Sequence, residues 1–325
     1  MEGGVGLHRA VAAGNPRERL RRCPPRPLLR EAATATRPLA ARILADEAAR
    51  GGRHGEAERW LLPAMWAGDV DAHVTYAAIV IGADDGTLTD SHAEAISALR
   101  AYSGRGNAEA RRILAQALLS GTGTTRDVAG ARQLLEEAAT AGDQDAAVAL
   151  AVSYLHPGGD GEDAGEPADE ARAMRWLQPA LDAGSADAHA VLGDWLYFRS
   201  DAADARVRAF EHWGRAAEQD HTLAINNAAW HRCVTPADRD PQAGMALARR
   251  LAAMPGLPAG LLDTVAACHA AVGEFDEAVR VQDRAIAEAS GGDLEFVQRF
   301  RDRRALYAAG RTYSEDAPKR SAAAP

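Results

Sequence analysis

Apolar and polar positions alternate along this chain in blocks of helical period. Over Val128–Thr140 the residues Ala131, Leu134, Leu135 and Ala138 recur at spacings of three and four, which predicts an amphipathic helix. An apolar run from Ala146 to Leu155 predicts a second, more deeply buried helix. Between helices lie polar, glycine-containing stretches such as Ser120-Gly121-Thr122-Gly123-Thr124-Thr125-Arg126-Asp127. A short phrase punctuates the pattern: Ala67-Gly68-Asp69, Gly106-Asn107-Ala108, Ala141-Gly142-Asp143 and Ala183-Gly184-Ser185. Its glycines stand 38, 36 and 42 residues apart, and a degenerate copy, Glu218-Gln219-Asp220-His221, follows. Glycine ends one helix in the left-handed conformation, and the Asp, Asn or Ser after it can cap the next. Each period is therefore a helical hairpin. A hairpin cannot bury its own apolar face, so neighbours must stack. The expected fold is all-α, a right-handed α-α superhelix of about seven helix pairs.

The longest interval, 42 residues, holds an acidic insertion, His156–Pro167, in the loop between two helices, where solvent tolerates extra chain. Residues 1–37 break the pattern, with prolines at 16, 24, 25 and 27 and eight arginines against three glutamates. Proline removes a donor and clashes with the preceding turn. This stretch reads as a disordered basic arm. The expected organisation is the arm at 1–37, longer repeats at 38–220, shorter helix pairs with a closing helix at 221–310, and a disordered tail at 311–325.

Composition supports helices. Aromatics are 5% of the 325 residues and alanine dominates the apolar fraction, which suits thin, closely stacked helices better than sheets. The net charge of -9 argues against a nucleic-acid partner. No run is long enough to span a membrane. The N-terminus lacks the apolar stretch of a signal peptide. Three cysteines, Cys23, Cys233 and Cys268, are too few for a disulfide framework and suit a reducing compartment, while one Cys233–Cys268 bridge remains open. The expected location is cytoplasmic, or periplasmic if the start codon is mis-assigned.

Residues 106–155 resemble the Sel-one-like repeat, a tetratricopeptide relative. The likeness rests on Gly-x-Ala-x-Ala, Leu114, Leu118, Gly121-x-Gly123, Asp127, Ala131, Leu134-Leu135, Ala138-Ala139 and Gly142. Weaker copies flank it at about 56–105 and 168–220. Residues 262–286 are similar to a tetratricopeptide proper, with Gly273 and Phe275 at the turn. Ala305–Arg311 resembles the closing helix of such arrays. The resemblance implies protein–protein interaction and scaffolding.

Catalytic signatures are missing. The sole lysine, Lys319, lies in the tail and cannot serve a phosphate-binding loop, and neither His-Glu-x-x-His nor Gly-x-Ser-x-Gly occurs. His231, Cys233, Cys268 and His269 are potential zinc ligands on two helices, but residues two apart on a helix point about 200° apart, so no tetrahedral site is expected. No catalytic residue, metal or cofactor is expected. Superposing the repeats places Val74, Ala78, Arg112, Gln116, Val148, Val152, Ala190, Asp194, Tyr197, Asn226, Trp230 and Asp263 on the concave, first-helix face. Of these, Arg112, Gln116, Asp194, Tyr197, Asn226, Trp230 and Asp263 are the expected contacts of a protein or peptide partner. The expected function is a non-catalytic scaffold. The alternatives are an envelope or secretion-assembly factor of the same fold and a repeat-fold hydrolase.

Overall fold

The computed structural model describes residues 37–83, 91–156, 169–289 and 294–315. The chain forms two compact units, Met1–Pro167 and Ala168–Pro325. This division by compactness differs from the division by repeat length at residue 220. Within the described residues the first unit holds seven α-helices: α1 (Pro38–Arg50), α2 (His54–Trp66), α3 (Val70–Ile81), α4 (His92–Gly104), α5 (Ala108–Ser120), α6 (Val128–Thr140) and α7 (Gln144–Leu155). The second holds eight: α8 (Glu170–Asp182), α9 (Ala186–Phe198), α10 (Ala205–Glu218), α11 (Thr222–Val234), α12 (Pro241–Ala252), α13 (Ala259–Ala271), α14 (Phe275–Glu288) and α15 (Leu294–Ala308). No strand occurs among the described residues.

The recurring phrase does what its chemistry demands. Gly68, Gly106, Gly142 and Gly184 all take positive φ, between 74° and 97°. The next residue caps the following helix: the side chains of Asp69, Asn107, Asp143 and Ser185 accept from the backbone N–H of Ala72, Ala110, Ala146 and Ala188. In the degenerate fifth copy Asp220 takes the left-handed position at φ 58°. Its carboxylate accepts from Arg250 Nη2 at 2.8 Å, and His221 Nδ1 accepts from the Ala224 N–H. A polar side chain tolerated in the left-handed region thus replaces glycine.

Alanine sets the closeness of packing. Ala57, Ala72, Ala110, Ala131, Ala146 and Ala173 are wholly buried where helices meet. The core of the second unit runs from Ala217 and Ile225 through Leu251, Leu262 and Val265 to Phe300 and Tyr307 on α15. It contains a Cys233–Cys268 disulfide joining α11 to α13, with both cysteines fully buried.

The basic arm up to residue 36, most of the acidic insertion and the chain after 315 lie outside the described residues. Asp169 caps α8 through the Arg172 N–H. The tail assigned from residue 311 needs one correction. Residues 311–315 are placed against the second unit, where the Glu315 N–H donates to the Val234 carbonyl at 3.1 Å.

Candidate functional site

First helices lie side by side in each unit, and their side chains build its candidate surface. In the first unit Arg42 of α1 spans three of them. It donates to Thr75 Oγ1 at 2.9 Å, to Asp71 at 2.9 Å and to Glu109 at 3.4 Å. Arg112 and Gln116 follow on α5, one turn apart, half-buried and exposed respectively. Val74 is fully buried and Val148 nearly so, so these two pack against neighbours and present no surface.

The second unit gathers more chemistry. Asp194 on α9 accepts from Trp213 Nε1 at 2.8 Å and from Asn227 Nδ2 at 2.9 Å. Asn226, beside it on α11, accepts from Thr264 Oγ1 of α13 at 2.7 Å. These bonds tie three successive first helices together in one polar row. Beyond the row lies a cavity of about 360 Å³ whose walls include Asn226, Trp230, Asp263, Thr264, Phe296 and Arg303. Four expected contact residues, Asp194, Asn226, Trp230 and Asp263, therefore meet at or beside one depression.

Two expected contacts are corrected by their burial. Asp263 is 4% exposed and already partnered, by Gln282 Nε2 at 2.8 Å and by the Arg303 guanidinium of the closing helix. Burial pushes its carboxyl above the usual carboxylate range, with Arg303 pulling the other way. Tyr197 is 2% exposed. Its hydroxyl donates to Asp238 Oδ2 at 2.6 Å, and Asp238 is also paired with Arg206 at 2.6 Å. Burial and the Asp238 bond raise the phenol's pKa. The Pro236–Asp238 turn covers Tyr197, and helix register alone does not reveal such a cover.

The suspected zinc ligands go separate ways. The cysteines are bonded to each other. His231 is buried among Tyr197, Phe198 and Trp213, with Nδ1 3.0 Å from Thr235 Oγ1, and burial lowers its pKa to about 4. His269 Nδ1 meets Glu274 at 2.6 Å. Among the described residues no three His, Cys, Asp or Glu side chains are grouped to hold a metal ion. Nor is any described helix long and apolar enough to cross a membrane.

Sequence reasoning overlooked Arg303, Phe296 and Tyr313. Superposing repeats extends only over first helices, whereas these residues sit on the closing helix and after it. Arg303 lies 4.9 Å from the Trp230 ring and 4.5 Å from that of Tyr313.

The sequence model of the Sel1 repeat matches residues 108–143, 144–185 and 186–221. The chain carries three Sel1 repeats. Arg112, Gln116, Asp194 and Tyr197 fall inside them, while Asn226, Trp230 and Asp263 lie beyond the third. Among solved structures, a protective antigen present in uropathogenic Escherichia coli strains and displaying an SLR fold is similar, with a TM-score of 0.52 and 19% identity. The match covers 89% of this chain and spans 61% of that one. A Sel1 repeat protein from Oxalobacter formigenes matches with a TM-score of 0.49 and 16% identity, over 80% of this chain and 97% of that one. No curated protein matches the sequence. The fold is thus the all-helical Sel1-repeat solenoid type.

Proposed function

We propose that this Sel1-repeat protein is a non-catalytic scaffold that holds a protein or peptide partner on its first-helix surfaces. The observation carrying the reading is the depression in the second unit, where Trp230, Phe296 and Arg303 supply apolar area and charge beside the polar row of Asp194, Asn226 and Thr264. Aromatic and arginine side chains in a concave setting are the groups that most often dominate protein binding. Asp194, Asn227, Asn226 and Thr264 are bonded to one another as a positioning network. The test is an affinity capture comparing the native protein with Trp230→Ala and Arg112→Glu, each confirmed as folded by circular dichroism. We expect Trp230→Ala to reduce recovery of a specific partner at least tenfold. Equal recovery by all three proteins overturns the reading.

A second reading concerns the compartment. The buried Cys233–Cys268 disulfide favours an oxidising environment, such as the periplasm, over the reducing cytoplasm expected from cysteine count alone. Thiol trapping in intact cells tests it. After acid quenching and denaturation, Cys233 and Cys268 that resist alkylation until reductant is added support export. Free thiols at both positions overturn it.

A further inference from the structure

The closing helix ends at Ala308, Gly310 follows in the left-handed conformation, and residues 311–315 return across α11. Their attachment resembles that of a bound peptide. The Glu315 N–H donates to the Val234 carbonyl, one of the last carbonyls of α11, which have no partner within the helix. The Tyr313 ring lies 5.9 Å from the Trp230 ring. The Arg303 guanidinium contacts both rings and is anchored by Asp263. Glu315 forms part of the cavity wall, and the cavity continues past it to Asn226, Thr264, Phe296 and Arg299.

Charge indicates what fits. The cavity is lined by Arg299 and Arg303 against Asp263 and Glu315, with His231 neutral at neutral pH. With Glu315 in place the four formal charges cancel. Without it, one positive charge remains, which an incoming carboxylate would balance. The segment is also suited to leave. It follows α15, Tyr313 is half-buried, and Ser314 and Glu315 are exposed. Segments with little buried apolar area open at low cost.

Building on the scaffold reading, we propose that Trp230, Arg303 and the Val234 carbonyl form a clamp for an extended peptide carrying an aromatic residue followed two positions later by a carboxylate. Tyr313–Glu315 is the clamp's internal occupant, and a partner of that pattern displaces it. A tethered occupant acts at a local concentration in the millimolar range, so the full chain masks its own site.

The test uses the full-length protein and a fluorescein-labelled peptide with the sequence of residues 310–316, followed by fluorescence polarisation. Two variants free the clamp while leaving the fully buried core residues in place: Tyr313→Ala removes the ring, and Glu315→Pro removes the donor N–H. Each is expected to bind the peptide at least tenfold more tightly than the native chain, whereas Tyr313→Phe behaves as native. In the Tyr313→Ala background, adding Trp230→Ala should cost at least tenfold, as should alanine in place of tyrosine in the peptide. The proposal is overturned if no protein binds the peptide, if native and Tyr313→Ala bind it equally, or if binding ignores Trp230. A peptide that fails while Trp230-dependent capture of a partner persists removes the clamp and leaves the scaffold reading standing.

Discussion

Replacing Arg303 by methionine keeps an apolar stem across Trp230 and Tyr313 but leaves Asp263 without its cation. Asp263 is almost fully buried, and its remaining named partner is the Gln282 amide. Breaking a buried ion pair from one side costs about 3–5 kcal/mol, because the surviving charge is neither solvated nor neutralised. The Asp263 carboxyl, already raised by burial, rises further once Arg303 no longer opposes that effect. A group whose folded pKa lies above its unfolded value loses stabilising power as pH rises. The deficit of Arg303→Met should therefore be largest at pH 7.5 and shrink towards pH 5, as the carboxyl takes up a proton. Asp263→Asn removes the charge and keeps an acceptor for Gln282, so the double variant should be more stable than Arg303→Met alone. Urea unfolding of the four proteins at both pH values measures every quantity. A deficit below about 1 kcal/mol at pH 7.5, a deficit independent of pH, or no recovery in the double variant refutes the reasoning.

Three further outcomes are expected. Reducing the Cys233–Cys268 bridge, which closes a loop of 35 residues, should lower stability by about 3–4 kcal/mol by loop entropy; urea midpoints with and without reductant measure this, and thiol titration of the denatured protein should rise from one to three on reduction. A methyl group at Gly193 would meet Trp213 Cδ1 at 2.5 Å, so Gly193→Ala should cost about 1–3 kcal/mol by overpacking. Gly214→Ala, which meets nothing within 4 Å in the same helix pair, should stabilise by about 0.5–1 kcal/mol, and thermal melts separate the two. His231 is held neutral with its pKa near 4, so stability should be whole above about pH 6.5 and fall as the pH drops towards 4, with about 2 kcal/mol lost by pH 5; in His231→Gln that part of the slope should vanish from a urea series.

The hairpin grammar was readable because it is local. Glycine in the left-handed position and a capping side chain one residue later are chemical requirements of the turn, and Gly142-Asp143 meets both in sequence and in structure. Even Asp220, where glycine is missing, kept its place in the phrase. The site was readable only in part. Helix register places Asn226 and Trp230 beside the cavity without knowledge of the rest of the fold. Tyr197 and Asp263 share that register, yet they are covered by groups distant in sequence: Asp238, 41 residues on, and Arg303, 40 residues on. Nothing in the periodicity of α9 or α13 announces those covers. The clamp was hidden for the same reason, since Tyr313 follows α15 and obeys no repeat.

The disulfide between α11 and α13 also has a mechanical meaning. A stack of helix pairs pulled from one end unravels pair by pair, because each pair is held only by its neighbours. Force applied at the C-terminus would peel α15 and α14 and then reach Cys268, which is bonded to Cys233. From there the load passes directly to α11, and the chain between the two cysteines, which are 35 positions apart, stays out of the force path. About 120 Å of contour length is withheld in this way. Single-molecule extension traces should gain a step of that size when reductant is present, so the bridge makes the end of the array a latch against tension.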